Sequence, residues 1–309
     1  TQGSSRAEYF ELIIDTDCGI DDAIAIMMAL AHPEAEIIGV TTVSGNVDVD
    51  QVTENVLRLL TYFDRGDIPV FRGASHALVQ GRVRAADVHG ENGIGGVELP
   101  EAPMGARPDT APVGLAALIR EHPGATVVTL GPLTNLAITL NLFPDVASRV
   151  GRLVVMGGGI EVGNVTRFAE FNFYADPEAV QFVLDRGVEM ELLPWDACLE
   201  HGFTDEDLEA IGLRPGRASE LFGALMEFVL SRAERLRGRR MARHPDPFAM
   251  AYALDRLVAR HIVRMGLAME LDNTKLRGAS VRLEGEQVQA VMSIDRERYI
   301  AVLRRISDL

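Results

Sequence analysis

The sequence predicts an α/β protein with one open, mostly parallel sheet and helices on both of its faces. Short apolar runs recur along the chain, helical stretches stand between them, and polar turn residues follow each run. The first strand is expected at Leu12–Ile14, with later ones at Ile37–Thr42, Thr126–Leu130, Leu153–Met156 and Glu189–Leu193. Helices are expected at Asp22–Ala31, Val52–Phe63, Pro112–Glu121, Leu133–Asn141, Pro177–Asp185, Ser219–Arg235 and Pro247–Leu254. Several of these begin near an acidic or hydroxyl residue able to cap them. His261–Leu271 and Val288–Ile294 read as closing strands, and Arg296–Ile306 as a final amphipathic helix.

The 309 residues are 47% hydrophobic, enough for one substantial core. Residues 1–10 read as a flexible terminus or cloning remnant, and 11–309 as a single domain. A formal charge of −15 argues against a nucleic-acid partner and suits a protein that collects cations. The Arg-rich stretch from Arg232 to Arg243 is accordingly taken as a solvated helix end. No apolar run approaches the roughly 20 residues of a membrane span, so no membrane partner is expected. Two cysteines, Cys18 and Cys198, are too few for a disulfide framework and fit a reducing cytoplasm.

The densest chemical signal is Asp15-Thr16-Asp17-Cys18-Gly19-Ile20-Asp21-Asp22, four carboxylates between a strand and a helix. Four like charges so placed repel one another, and a hard divalent cation would neutralise them while taking oxygen ligands. The bland alternative is that Asp21 and Asp22 only complement a helix dipole while Asp15 and Asp17 are solvated. Other polar segments fall after strands, where open α/β sheets bind ligands. They are Thr42-Val43-Ser44-Gly45-Asn46, Gly131-Pro132-Leu133-Thr134-Asn135, Met156-Gly157-Gly158-Gly159 and Glu170-Phe171-Asn172, with Asp246-Pro247 opening a late helix.

Together with His89-Gly90-Glu91-Asn92-Gly93, and in this order, these segments resemble the inosine-uridine-preferring nucleoside hydrolase family from about Leu12 to Leu303. The family's DxDxGxDD signature stands here as Asp15, Asp17, Gly19, Asp21 and Asp22. The resemblance implies calcium-dependent hydrolysis of ribonucleosides to ribose and free base, with residues 11–309 as the catalytic domain. It implies Asp17, Asp22, Asp246 and the Leu130 carbonyl as calcium ligands, an oxygen set that suits calcium better than magnesium. Asp15 would lie behind these ligands and orient them. Asp21, Asn46, Asn164, Glu170 and Asn172 would hold the ribose, helped by Met156, and Asp17 would activate the attacking water. A role in nucleoside salvage and a homodimer or homotetramer are implied in the same way.

Leaving-group activation departs from the family pattern. A histidine usually precedes the late aspartate; here the order is His244-Pro245-Asp246. The acid role is therefore not carried onto His244. His89 is the candidate that contacts or protonates the base, weighed against a structural histidine. Phe168 and Trp195 are base-pocket candidates, although an aromatic at a strand end more often packs into the core. Two alternatives stand beside the hydrolase: a nucleoside-binding or sensing protein with weakened catalysis, and a haloacid-dehalogenase-like phosphatase suggested by Asp15-Thr16-Asp17.

Overall fold

The computed structural model describes residues 10–81, 83 and 86–309, and contains one eight-stranded sheet. The strands are β1 (Phe10–Thr16), β2 (Ala35–Thr42), β3 (Val70–Arg72), β4 (Thr126–Thr129), β5 (Arg152–Met156), β6 (Met190–Leu193), β7 (Ala259–Met269) and β8 (Ser280–Ile294). Their order across the sheet is β3-β2-β1-β4-β5-β6-β8-β7, all parallel except β7, which runs antiparallel to β8 at the edge. The first three strands build outward in one direction and the later ones in the other. The switch point, where such sheets bind ligands, falls between β1 and β4.

Alternation along the central strands makes both faces apolar. Leu12 and Ile14 join one core while Ile13 joins the other; Val128 and Val154 face the first, Val127 and Val155 the second. The first face is covered by α1 (Ile20–Ala31), α2 (Val49–Tyr62) and three later helices, α9 (Arg217–Arg237), α10 (Pro245–Leu254) and α11 (Arg296–Arg304). The second is covered by α4 (Ala111–Glu121), α5 (Thr134–Leu142) and α7 (Pro177–Asp185). Each fully buried Leu, Ile or Val contributes about 1.5–3 kcal/mol relative to exposure. This doubly covered sheet is the architecture expected from the sequence.

Three short helices were not expected: α3 (Ala86–His89), α6 (Phe171–Ala175) and α8 (Asp205–Ile211). They have too few turns to show a helical period. β3 was missed because three residues are too few to show a strand's alternation. β8 begins eight residues before the expected Val288, because Ser280–Gln287 are mostly exposed and lie outside the reach of β6, with only Ser280–Leu283 among them in register with β7. Phe10 already belongs to β1, so a flexible segment through residue 10 is one residue too long; residues 1–9 lie outside those described. Among the described residues, no helix is long and apolar enough to cross a membrane.

Candidate active site

The eight-residue acidic signature folds as the last turn of β1, a tight loop and the first turn of α1. Gly19 caps α1, and Asp22, three residues on, returns its Oδ2 to the Gly19 N–H at 2.8 Å. The Thr16 hydroxyl donates to Asp22 Oδ1 at 2.5 Å and receives the Cys18 N–H at 3.0 Å. Asp22 therefore caps its helix, as the bland reading holds, yet it is wholly buried, and so are Asp15 and Asp17. A capping or solvated role alone accounts for none of that burial.

Neighbouring segments hold Asp15, Asp17 and Asp22. Asp15 Oδ1 accepts from the Thr41 hydroxyl at 2.5 Å and the Asn135 amide at 2.7 Å. Asp17 Oδ2 accepts the Asn46 N–H at 2.7 Å, and the Asn46 side-chain amide donates to Asp22 at 3.2 Å. Backbone approaches closely here: a Cβ on Gly45 would stand 2.0 Å from Asp17 Oδ2, and one on Gly19 2.5 Å from the Asn46 amide nitrogen. Only glycine fits at either position.

α10 brings the fifth carboxylate from far along the chain. Pro245 occupies its first turn, where a missing N–H costs nothing, and Asp246 follows it into the site. Asp21, Asp22 and Asp246 each present an oxygen within 4.8 Å of the other two. Asp17 is outside that trio but lies against Asp22 at hydrogen-bonding range. Burial, followed by repulsion from Asp22, pushes Asp17 well up; burial and then Asp21 and Asp22 do the same to Asp246. Burial also lifts Asp15 to about 7 and Asp21 to about 6.

These groups fit a hard divalent cation. Among the described residues no lysine or arginine pairs with any of the five aspartates, and two of their buried oxygens, Asp15 Oδ2 and Asp21 Oδ1, accept no hydrogen bond. Carboxylates crowded without a counter-charge are the donor set that calcium or magnesium neutralises. The Leu130 carbonyl, just past β4, receives the Asn172 amide at 2.7 Å and keeps a second lone pair.

Asn172 also donates to the Met156 carbonyl and to its sulfur, both at 3.2 Å, so buried Met156 holds Asn172 in place. Glu170 caps α6 and accepts from the backbone of Asn172 at 3.0 Å, Gly158 at 2.8 Å and Phe173 at 3.2 Å. Burial raises its pKa to about 7 despite these bonds. Asn164 lies on an exposed loop and accepts the Phe171 N–H at 2.9 Å. Phe168, 43% exposed on that loop, lies under the Arg167 guanidinium.

His89 is buried, and its Nδ1 accepts the Ile20 N–H at 3.1 Å, 3.6 Å from Asp21 Oδ1. That bond leaves the ring proton on Nε2. Burial lowers its pKa to about 4, so it is neutral at pH 7. His244 is buried against Phe203 and lines a small apolar cavity with Ile24, Phe222 and Met226. Trp195 is half-buried and packs on the core beside β6, the bland alternative stated for it. Cys18 is buried and pushed well up by burial and by Asp22, which removes it as a nucleophile.

Two positioning residues were not singled out from the sequence. Asp196 accepts the N–H groups of Ile160 at 2.7 Å and Glu161 at 2.8 Å, pinning the glycine-rich loop after β5. Asp176 accepts from the Thr134 hydroxyl at 2.6 Å and the Leu78 N–H at 2.9 Å. A lone aspartate after a strand or before a helix is too common a pattern to mark either one.

Fold and site together define an open α/β protein with a buried carboxylate centre at its switch point. Residues 12–301 match the family described as inosine-uridine preferring nucleoside hydrolase. The chain is 35% identical over 286 residues to a "Pyrimidine-specific ribonucleoside hydrolase RihA" of Citrobacter koseri, covering 92% of this chain and 88% of that one. Among solved structures it resembles a "Plant nucleoside hydrolase - PpNRh1 enzyme" with a TM-score of 0.90 and 31% identity, over 97% and 99% of the two chains. It also resembles a "Purine-Preferring Ribonucleoside Hydrolase from Gardnerella vaginalis", with a TM-score of 0.89 and 26% identity over 96% and 98%. The protein belongs to the inosine-uridine preferring nucleoside hydrolase family, whose named members are N-glycosyl hydrolases. The phosphatase alternative is thereby dropped.

Proposed function

We propose that residues 11–309 act as one catalytic domain that hydrolyses the N-glycosidic bond of ribonucleosides with calcium. The observation that carries this reading is the set of five buried aspartates converging without a protein cation. Asp17, Asp22, Asp246 and the Leu130 carbonyl would hold the ion. When bound, calcium supplies a positive charge that gathers these oxygens, orients ribose hydroxyls, and orients and acidifies a water.

Asp17 has one oxygen fixed by the Asn46 N–H, which leaves the other to take the proton of the attacking water. Asp21, with a buried oxygen that accepts no hydrogen bond, would accept a ribose hydroxyl, and Asn46, Asn172, Glu170 and Asn164 would hold the ribose with it. As the C1′–N bond breaks, the sugar becomes cationic, and the surrounding carboxylates favour that charge. The neutral Nε2–H of His89 is a hydrogen-bond donor toward the base, with Phe168 at the mouth. Cytoplasmic salvage and a homodimer or homotetramer belong to this reading on the family resemblance, and two unpaired buried cysteines fit a reducing compartment.

Pro245 favours one second reading, a nucleoside-binding protein with weakened catalysis, because its ring carries no proton donor. Free-ribose release from purine and pyrimidine ribonucleosides, measured with calcium, after chelation and after calcium is restored, separates the two. Calcium-restorable release is the expected outcome. Nucleoside binding without release would establish the second reading instead.

A further inference from the structure

Two residues assigned to the ribose depend on a weak element. α6 has five residues, too few for a helix to hold itself by its own hydrogen bonds, yet it carries Asn172 and is capped by Glu170. Its amino end is fixed by that cap and by the Asn172 amide, which donates to the Leu130 and Met156 carbonyls. Its last carbonyls have no following turn to bond them, because α7 starts afresh at Pro177, which has no N–H to give.

A side chain from a distant segment bonds them instead. Gln80, on the stretch after β3, donates its amide to the Tyr174 carbonyl and to the Ala175 carbonyl, the latter at 2.6 Å. The same stretch gives the Leu78 N–H to Asp176 Oδ2 at 2.9 Å, between α6 and α7. Arg277, in the connection from β7 to β8, fixes the Gln80 amide. Its Nε donates to Gln80 Oε1 at 3.1 Å, its Nη2 to Glu178 Oε1 on α7 at 2.6 Å and its Nη1 to the Leu271 carbonyl at 2.9 Å. Three acceptors around one planar guanidinium are a geometry that a lysine cannot match. The Arg277 and Glu178 side chains are 23% and 20% exposed, so the pair is not a solvated surface contact. Gly278, at φ +77°, seats this connection on α6: a Cβ there would stand 2.8 Å from the Tyr174 Cα.

We propose that Arg277 is a positioning residue for ribose binding, which acts through Gln80 to fix the carboxyl end of α6 and with it the placement of Asn172 and Glu170. This rests on the hydrolase reading above, which assigns those two residues to the ribose. Substrate and transition state share the sugar's hydroxyls, so loosening α6 weakens both alike and raises KM while kcat holds. Every ribonucleoside carries the same sugar, and the effect is therefore independent of the base.

Steady-state kinetics at saturating calcium on uridine, inosine and p-nitrophenyl riboside test this. Loss of a charge-assisted contact predicts that Arg277→Ala raises KM about 10-fold on all three substrates, with kcat changed by less than about 3-fold. Arg277→Lys should recover part of the loss. Gln80→Ala, at a partly exposed position, should give the same rise and keeps the test decisive if Arg277→Ala does not fold. The double variant should be no worse than either single one, because both remove one connection. Glu191→Ala, which breaks the ion pair with Arg152 elsewhere on the sheet, should leave KM unchanged. An unmoved KM in Arg277→Ala and Gln80→Ala, beside an active wild type, would overturn this proposal alone. So would a rise confined to one base, effects that multiply in the double variant, or an equal rise in Glu191→Ala, which would make the effect one of general stability. A wild type that cleaves none of the three would sink the hydrolase reading and this proposal with it.

Discussion

Two buried acidic sites on one sheet behave in opposite ways. At the carboxyl ends of the central strands, five aspartates crowd together unpaired, and burial drives their pKa values up. Toward the amino ends, Glu191 on β6 is also buried from solvent but receives Arg152 at 2.7 Å and Arg256 at 2.9 Å. Burial raises its pKa too, but the bonds from Arg152 outweigh it and hold the carboxyl below its ordinary value. Arg152 also bonds the Ala253 carbonyl and lies over Tyr252, so the knot ties β5 and β6 to α10. A buried charge supplied with its partner is a fastening; one left without a partner is a place for a ligand.

The largest test of that contrast is Asp17→Ala, which removes a metal ligand and the water's base together. Ribose release should fall by about 10³-fold or more, with weaker calcium retention by equilibrium dialysis. Wild-type turnover by this variant would remove Asp17 from the mechanism. Glu191→Ala, by contrast, leaves Arg152 without its carboxylate and should cost about 3 kcal/mol in denaturant unfolding. Its kcat on nucleosides should hold below the unfolding range. A variant as stable as wild type would show that the knot is not a fastening.

Calcium should act on the unpaired site alone. At a hundredfold excess over its Kd it should stabilise the wild type by about 2.7 kcal/mol, read as a rise in Tm over the chelated protein. Asp17→Ala should lose most of that rise and Glu191→Ala should keep it.

The smallest effect is the acid limb of Glu191. Its folded pKa lies below the ordinary 4.5, so the stability it contributes is fully present above that value and is lost as pH falls through the folded pKa. The stability difference between wild type and Glu191→Ala should therefore shrink below about pH 4.5. A difference that stays constant down to pH 3 would leave the ion pair without a role.

Much of this was legible in the sequence because it depends on neighbours along the chain. Strand and helix periodicity over Leu12–Ala31 and Thr126–Asn141 predicted where β1, α1, β4 and α5 lie, to within a few residues. The four carboxylates from Asp15 to Asp22 announced a cation site, since like charges so close in sequence cannot be far apart in space. Family resemblance added Asp246, which no local pattern distinguishes from an ordinary first-turn aspartate. Tertiary structure decided the rest. Only the packing of α10 against α1 brings Asp246 to Asp21 and Asp22, and only the strand order sets Asn135 between Asp15 and Thr42. The fates of His89, His244 and Trp195 were likewise decided by what they pack against. Local periodicity records which side of an element is buried; it carries no information about which distant side chain waits on the other side of the contact.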